Sequence, residues 1–252
     1  MALLHIDFAS SALGIQSCMN VIVPQQLQYP TPAGKKEYPV LYLLHGLGDN
    51  HTSWQRRTSL ERYVESKNLV VVMPTTQRGF YTNTISCQKY YDFIALELPE
   101  ICAAMLPIST RREDTFAAGN SMGGYGAFKL GLSMPEKFAA VASFSGVLDV
   151  CEAAPALCGS ELSHVFGPLN ELKGSENDLF ALADSLLSSA EPRPKFLQIC
   201  GTEDFLYQNN QNFLQRYQHT LPIEYIETPG NHNWKFWDSQ LETLLQWLPI
   251  QN

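Results

Sequence analysis

The sequence predicts an α/β fold built on a doubly wound, mostly parallel sheet, with an antiparallel N-terminal edge and helices on both faces. Continuous apolar runs, of the kind found in strands buried on both faces, alternate with segments of helical periodicity along most of the chain. The first two apolar runs have polar interruptions and no helical segment between them. Strands that follow one another in this way usually pair antiparallel, so the parallel part of the sheet is expected to begin after them.

The strands can be placed in order along the chain. Residues 3–8 and 14–23 form the antiparallel pair, and Pro24 ends its second strand. The buried strands that follow are predicted at residues 40–44, 69–73, 115–118, 138–144, 196–200 and 223–226. Each run stops at a polar, Gly or Pro residue, which indicates a turn.

Helices are predicted between the strands, where apolar residues recur at helical spacing. Pro99 lies inside one such segment, residues 91–105, and indicates either a kink or the start of a new helix. The closing helix is the clearest, because its apolar residues fall at i, i+4, i+7, i+8 and i+11, namely Trp237, Leu241, Leu244, Leu245 and Leu248.

The length of 252 residues favours one domain covering residues 1–252, because α/β folds of this size usually form a single unit. The strand and helix pattern weakens between residues 147 and 191. That segment is too short to have a core of its own, so we interpret it as an insertion that caps the sheet. The segment from Pro30 to Glu37 contains Pro and Gly and is expected to be a surface turn.

Charge and composition exclude several classes of partner. The 17 Lys and Arg against 25 Asp and Glu give a net charge of −8 without an evident basic patch, which argues against a nucleic-acid partner. No basic residue precedes Lys35, and no apolar run approaches the roughly 20 residues that span a bilayer. We therefore expect a cytoplasmic protein without a membrane partner.

The six cysteines form no Cys-x-x-Cys pair and have no metal-ligand spacing, so no metal site is predicted from them. Free buried thiols are expected for most of the six. Cys151 and Cys158 could face each other in a loop.

A turn that presents a nucleophile is predicted between residues 114 and 132. It reads Gly119-Asn120-Ser121-Met122-Gly123, the pattern Gly-x-Ser-x-Gly, and it lies between a predicted strand and a predicted helix, the context that identifies a nucleophile elbow. Such a turn pushes the serine hydroxyl out above the sheet and leaves no room for side chains two residues to either side. The alternative is a Gly-rich connection with an incidental serine.

Four polar groups directly follow predicted strands, at the edge where reactive groups collect in open α/β sheets. They are His45-Gly46-Leu47-Gly48, Ser121, Gly201-Thr202-Glu203-Asp204 and Gly230-Asn231-His232-Asn233. Ser121, Asp204 and His232 stand in the chain order of an α/β-hydrolase triad.

A serine hydroxyl is almost wholly protonated at neutral pH and needs a base within hydrogen-bond reach. His232 is the predicted base because, of the six histidines, it alone lies after the final strand in a Gly-containing loop, although a plain surface-loop histidine is the alternative. Asp204 would hold the imidazole in the required tautomer and stabilise the imidazolium. Glu203 is the rival acid, since adjacent side chains cannot both point inward. Asp149 and Asp238 are further alternatives, each of which could instead be a helix cap or a solvated side chain.

A tetrahedral oxyanion needs preorganised donors, which backbone N–H groups can supply. Met122 is predicted to provide one, and the Gly-rich turn after the first parallel strand the other, from Leu47 or else from Gly46 or Gly48. His45 is expected to bond the loop backbone. Candidates for lining the substrate pocket, each with core packing as the alternative, are Trp54, Tyr81, Tyr125 and Trp234.

Four sequence blocks span the predicted catalytic face: LHGLGDN from Leu44, GNSMGGYGA from Gly119, CGTEDFLY from Cys200 and HNWKFWD from His232. In these blocks the chain resembles the esterase D group of carbohydrate esterase family one, and most of all the small bacterial tributyrin-esterase-like enzymes. The resemblance implies the α/β-hydrolase fold and hydrolysis of short-chain acyl esters without metal or cofactor. It also favours Asp204 over Glu203.

The relatives implied by this resemblance act on different esters, so it defines the reaction better than the substrate. They include S-formylglutathione hydrolases, feruloyl and acetylxylan esterases, and mycolyl transferases. The nearest alternative function is S-formylglutathione hydrolysis, with Arg78 as a candidate for the glutathione site. A catalytically silent binding protein would be expected to lack a triad residue, and none is lacking here. Residues 147–191 match least clearly and are expected to decide the substrate. Dimers or tetramers are common in such relatives, so a homo-oligomer is expected.

Overall fold

The structure is a computed structural model that describes residues 1–25, 37–157 and 159–250. Of the expected surface turn from Pro30 to Glu37, residues 30–36 lie outside the described residues. Cys158 also lies outside them. Among the described residues the free thiols are Cys18, Cys87, Cys102, Cys151 and Cys200.

Within the described residues, eight strands form one sheet in the order β1-β2-β4-β3-β5-β6-β7-β8. The strands are β1 (Ala2–Ser10), β2 (Ile15–Val23), β3 (Val40–Leu44), β4 (Val70–Pro74), β5 (Thr115–Asn120), β6 (Ala140–Phe144), β7 (Lys195–Gly201) and β8 (Ile223–Thr228). β1 pairs antiparallel with β2, and β2 pairs antiparallel with β4, whereas the other neighbours are parallel. The predicted mostly parallel sheet with an antiparallel N-terminal edge is confirmed.

The helices cover both faces of this sheet. They are α1 (Ser53–Arg57), α2 (Leu60–Val64), α3 (Tyr90–Asp92), α4 (Leu98–Met105), α5 (Met122–Ser133), α6 (Val150–Leu157), α7 (Gly159–Phe166), α8 (Leu179–Ser188), α9 (Tyr207–Tyr217) and α10 (Trp234–Trp247). Short 3₁₀ turns lie at Arg112–Asp114 and Leu169–Glu171. None of the described helices is both long and apolar enough to cross a bilayer.

Strand β3 shows how the two cores are divided. Its successive residues point to opposite faces of the sheet. Tyr42 and Leu44 join a core that includes residues of α4, α5, α8 and α9, while Leu41 and Leu43 join a core formed with α2 and α10. All five residues of β3 are buried, because both faces are covered. The predicted placement of helices on both faces is therefore confirmed.

A π-helical turn, Phe93–Glu97, joins α3 to α4. Pro99 lies in the first turn of α4, where its missing N–H leaves no helical hydrogen bond unmade, so of the two predicted alternatives the new helix start is right. Glu97 accepts hydrogen bonds from the Ser10 hydroxyl at 2.5 Å and from the Ser11 N–H at 2.6 Å. The π-helical turn thereby fixes the connection between β1 and β2.

Residues 147–191 pack onto α5, the helix that follows Ser121. Tyr125 in α5 donates its hydroxyl hydrogen to the Asn177 carbonyl oxygen at 2.8 Å. The apolar side chains of the segment belong to the same core as α5, and they include Leu148, Leu162, Leu179 and Leu186. Its role as a cap stays a prediction.

Lys129 in α5 is a buried basic residue at this contact, only 3% exposed. Its ammonium group donates to Asn177 Oδ1 at 2.5 Å and to Thr82 Oγ1 at 3.0 Å, and it lies 4.8 Å from the centre of the Tyr91 ring. Burial lowers the pKa of Lys129 to about 7, an effect that Glu176 opposes. Lys129 thus joins α5 both to residues 147–191 and to the loop that contains Thr82.

Replacing Lys129 with Met tests the cost of this buried charge. Between pH 7 and the ordinary lysine value of 10.5, the folded protein binds fewer protons at Lys129 than the unfolded chain does, so stability rises with pH across this window. From about pH 7 to about pH 9.5, the unfolding free energy of the wild type is expected to gain roughly 2 to 3 kcal/mol relative to that of Lys129→Met. Urea denaturation of both proteins at the two pH values measures this difference.

The control for this comparison is Lys137→Met, because Lys137 is exposed. Its unfolding free energy is expected to follow the wild type at both pH values. A Lys129→Met protein with the pH dependence of the wild type would contradict the prediction.

Candidate active site

Ser121 occupies the turn between β5 and α5 in a left-handed backbone conformation, with φ 53° and ψ −117°. Holding a residue other than glycine there costs on the order of 1–3 kcal/mol, so the surrounding structure must impose the conformation. The Ser121 N–H donates to the Phe144 carbonyl oxygen at 2.9 Å, and the Val147 N–H donates to the Ser121 carbonyl oxygen at 3.3 Å. The end of β6 therefore fixes the turn, and the predicted sequence of strand, turn and helix is confirmed.

The two glycines of the turn are required by close approach. A Cβ atom at Gly123 would lie 2.4 Å from the Leu44 carbonyl oxygen, and one at Gly119 would lie 2.5 Å from the carbonyl group of Gly123. Both obstacles are backbone atoms, which cannot rotate out of the way. The absence of side chains at these positions lets α5 begin directly against the end of β3.

The structure brings Ser121, His232 and Asp204 together. Nε2 of His232 lies 3.0 Å from Oγ of Ser121, and Nδ1 of His232 lies 2.9 Å from Oδ2 and 3.0 Å from Oδ1 of Asp204. Because a carboxylate only accepts hydrogen bonds, Nδ1 of the neutral imidazole carries the proton, and Nε2 accepts the hydrogen of the Ser121 hydroxyl. The Asp204 side chain has no exposed surface, and the His232 side chain is 14% exposed. The three groups form one line of hydrogen bonds from the interior to the surface.

Asp204, and not its neighbour Glu203, faces the imidazole. The turn after β7 is held by hydrogen bonds from the Asp204 N–H to the Gly201 carbonyl oxygen at 3.1 Å and from the Leu206 N–H to Asp204 Oδ1 at 2.8 Å. Glu203 is exposed, and its N–H donates to the Gly230 carbonyl oxygen at 2.9 Å. The turn therefore sends the two adjacent acidic side chains in different directions.

Two aromatic rings that sequence reasoning did not connect with His232 hold its imidazole in place. The Phe205 ring lies 4.5 Å from the imidazole centre, and the Trp237 ring meets it edge-on at 5.0 Å. Phe205 is 64% exposed, although it is a large apolar residue. Its position directly after Asp204 is a signal that could have been used, whereas helical spacing assigned Trp237 only to the core face of its helix.

A cavity of about 340 Å³ opens at this point. The N–H groups of Leu47 and Met122 donate to no acceptor among the described residues, and Leu47 lines the cavity. Among the described residues no group of three or more His, Cys, Asp and Glu side chains is arranged to hold a metal ion. The cavity is lined by Gly46, Leu47, Asp49, Asn120, Ser121, His232, Asn233, Trp234 and Trp237.

His45 holds the loop that contains Leu47. Its Nε2 accepts the Thr76 N–H at 3.0 Å, so its proton is on Nδ1, which donates to the Gly46 carbonyl oxygen at 2.8 Å. Burial lowers the pKa of His45 to about 4, which keeps the ring neutral at physiological pH. The expectation that His45 bonds the loop backbone is confirmed.

Of the four aromatic residues predicted as pocket candidates, only Trp234 lines the cavity. Trp54, Tyr81 and Tyr125 are each at most 1% exposed. Each uses its polar group to donate to a backbone carbonyl oxygen at 2.8 Å, belonging to Leu44, His45 and Asn177 respectively. These internal hydrogen bonds keep the three rings in the core, which was the alternative for each.

The sheet order, its antiparallel edge and the strained serine turn after β5 together make up the architecture of a serine hydrolase with the α/β-hydrolase fold. A family model described as "Putative esterase" matches residues 10–248, nearly the whole chain, and the protein belongs to that family. It is a carboxylic ester hydrolase, as the sequence blocks indicated.

Individual relatives agree with this assignment. The chain is 29% identical over 263 residues to the acetyl esterase of Caldicellulosiruptor saccharolyticus, and the match covers 98% of each chain. It is 32% identical to the substrate-bound fluorophosphonate-binding serine hydrolase FphF of Staphylococcus aureus, with 99% of each chain covered and a TM-score of 0.92. It is also 32% identical to the S-formylglutathione hydrolase FrmB of Staphylococcus aureus, with 98% of each chain covered and a TM-score of 0.89. The predicted serine esterase family and fold are confirmed.

The close approach at Gly123 leads to a mutational prediction. In Gly123→Ala the added methyl group meets the Leu44 carbonyl oxygen, so the start of α5 must shift. We expect a loss of about 1–3 kcal/mol in unfolding free energy, as for other overpacked sites, together with a loss of esterase activity per folded molecule. Urea denaturation and hydrolysis of p-nitrophenyl acetate measure the two effects.

Ser133→Ala, at the far end of the same helix, serves as the control and is expected to keep its activity, since the described partners of Ser133 Oγ, Lys129 and Tyr91, lie outside the elbow. Full activity in Gly123→Ala would show that the elbow tolerates a side chain at this position.

Proposed function

We propose that the protein is a serine carboxylesterase that hydrolyses short-chain acyl esters through an acyl-enzyme intermediate, with Ser121 as nucleophile, His232 as base and Asp204 as the acid that orients it. The observation that carries this proposal is the continuous line of hydrogen bonds from buried Asp204 through His232 to Ser121, which ends in the cavity. Leu47 and Met122 are proposed to bind the oxyanion through their N–H groups.

The distances support a stepwise mechanism. Ser121 Oγ attacks the ester carbonyl carbon while Nε2 of His232, 3.0 Å away, takes the hydroxyl proton. The imidazolium that forms is stabilised by Asp204, and the N–H groups of Leu47 and Met122 stabilise the oxyanion. The imidazolium then protonates the departing alcohol. In the second half of the reaction, His232 activates water, which releases the carboxylic acid and restores the Ser121 hydroxyl.

The cavity supports a small acyl group. Its volume of about 340 Å³ lies at the lower end of the range usual for ligand pockets. Leu47, Trp234 and Trp237 give it apolar surface beside the nucleophile. The likeness to an acetyl esterase points in the same direction.

The proposal also includes the expected domain organisation, partners, location and assembly. We treat residues 1–252 as one α/β-hydrolase domain in which residues 147–191 cap the site. Small esters are proposed as partners of a cytoplasmic enzyme that needs no metal or cofactor and that assembles as a homo-oligomer. The net charge of −8 supports the further proposal that it does not bind nucleic acid.

S-formylglutathione hydrolysis is the second candidate function, because the chain is 32% identical to an S-formylglutathione hydrolase. The same nucleophile would attack a thioester in place of an oxygen ester. Arg78, which was predicted as a candidate for the glutathione site, lies beside the loop that contains Gly48.

A series of p-nitrophenyl esters from acetate to octanoate tests the principal proposal. We expect kcat/KM to be highest for the shortest acyl chains and to fall by octanoate, because the cavity is small. Ser121→Ala is expected to lose at least about 10³-fold in kcat and to escape labelling by a fluorophosphonate.

S-formylglutathione and feruloyl esters assayed beside the series separate the candidate functions. Absence of fluorophosphonate labelling in the wild type would remove the esterase proposal and favour a catalytically silent binding protein.

The choice between the two adjacent acidic residues is tested separately. Asp204→Asn is expected to lower kcat by about 10³- to 10⁴-fold, because the amide no longer fixes the tautomer of His232 or stabilises the imidazolium. Glu203→Gln is the matched control and is expected to keep wild-type kcat, since its side chain is exposed. The reverse result for the two variants would assign the acid to Glu203.

A further inference from the structure

Apart from the proposed catalytic groups, one charged side chain lines the cavity beside Ser121. Asp49 is the only acidic residue among the described residues that line it, and no Lys or Arg is among them. The carboxylate of Asp204 lies behind His232 without exposed surface. A substrate group in the cavity therefore meets one acidic side chain and no basic side chain among the residues that line the cavity.

The position of Asp49 is set by the loop that follows β3. Its N–H donates to the Gly46 carbonyl oxygen at 3.2 Å, and its Oδ2 lies 3.4 Å from where a Cβ atom of Gly46 would be. The carboxylate is thus held on the loop that supplies the proposed oxyanion donor Leu47. Asp49 is half-buried, so its charge is only partly screened by water.

Asp49 also forms the boundary with a second, adjoining cavity of about 540 Å³, and it is the residue that lines both. Arg78 lines the second cavity but not the one beside Ser121, and its guanidinium forms an ion pair with Glu161 in α7. A group that extends from Ser121 in this direction therefore passes the carboxylate before it reaches a cation, and that cation already has an anionic partner.

Burial and the neighbouring groups act in opposite directions on the pKa of Asp49. Burial raises the pKa of this carboxyl group, while the Ser53 hydroxyl and the Arg57 guanidinium oppose the rise.

We propose that Asp49 determines the charge preference of the esterase, which hydrolyses esters with neutral or cationic groups near the reacting carbonyl and discriminates against esters with carboxylates there. The inference rests on the proposed function, since it requires the ester to be bound between Ser121 and the N–H groups of Leu47 and Met122. It deepens that function by naming the excluded substrate class. S-formylglutathione, which carries two carboxylates and one ammonium group, falls on the disfavoured side.

Two pairs of substrates, each made of a carboxylate and its neutral methyl ester, test the inference. In one pair the charge is on the acyl side, with p-nitrophenyl hemisuccinate against p-nitrophenyl methyl succinate. In the other it is on the leaving group, with 4-acetoxybenzoate against methyl 4-acetoxybenzoate. The ratio of kcat/KM between the neutral and the anionic member is measured for the wild type and for Asp49→Asn, which keeps the side-chain shape and removes the charge.

In at least one pair, Asp49→Asn is expected to lower the neutral-to-anionic ratio by about 5- to 10-fold, the size expected for unit charges roughly 8 Å apart in a partly solvated site. The pair that responds identifies the half of the ester that lies beside Asp49. Because the ratio is taken within one protein, a general change in loop geometry cancels. Glu203→Gln removes a nearby charge that does not line the cavity and is expected to leave both ratios unchanged.

Unchanged ratios in Asp49→Asn, or equal changes in Glu203→Gln, would overturn the inference. Should Asp49→Asn fail to fold, the wild type is assayed at low ionic strength and at about 1 M NaCl, where screening is expected to reduce the preference for the neutral member and an unaltered preference would again overturn it. Failure of the proposed function has a different signature, since Ser121→Ala would then hydrolyse the neutral esters as fast as the wild type.

Discussion

The contact between the start of α5 and the end of β3 is the constraint on which the site depends. Gly123 lies so close to the Leu44 carbonyl oxygen that no side chain fits between them. The Ser121 N–H is bonded to Phe144 at the end of β6, and the Ser145 N–H is bonded in turn to the Ile199 carbonyl oxygen of β7. Neighbouring strand ends are thereby tied together, so Ser121 and Leu47 line the same cavity.

The two most buried charged groups near the site have partners of different kinds, and their roles differ accordingly. Lys129 has the neutral groups of Thr82 and Asn177 as its hydrogen-bond partners, so burial weakens its hold on the proton. Asp204 faces His232, a group that becomes cationic during the proposed reaction. Lys129 supports packing between α5 and residues 147–191. The Asp204 carboxylate instead faces a positive charge that His232 carries only during the proposed reaction.

Much of the fold and the membership of the site could be predicted from the sequence, because both depend on local patterns. Apolar runs such as Val40–Leu44 indicated buried strands, and the strand-end rule selected Ser121, Asp204 and His232, which the structure places within hydrogen-bond distance. The directions of Trp54, Tyr81 and Tyr125 could not be predicted, since an aromatic ring with a polar atom suits a pocket and a core equally well. The three rings lie in the core because their polar atoms bond to backbone carbonyl groups that come near only when the chain folds. Asn177, a hydrogen-bond partner of Lys129, is 48 positions away in the chain. The periodicity of apolar residues does not indicate contacts between residues so far apart.

The hydrogen bond between Ser121 and His232 joins residues 111 positions apart in the chain. Contacts of this range form late in folding, because ordering the intervening chain costs entropy before the contact can stabilise it. The backbone hydrogen bonds of a helix such as α10 join residues only four positions apart. During refolding, the helical signal in circular dichroism is therefore expected to return before enzymatic turnover does.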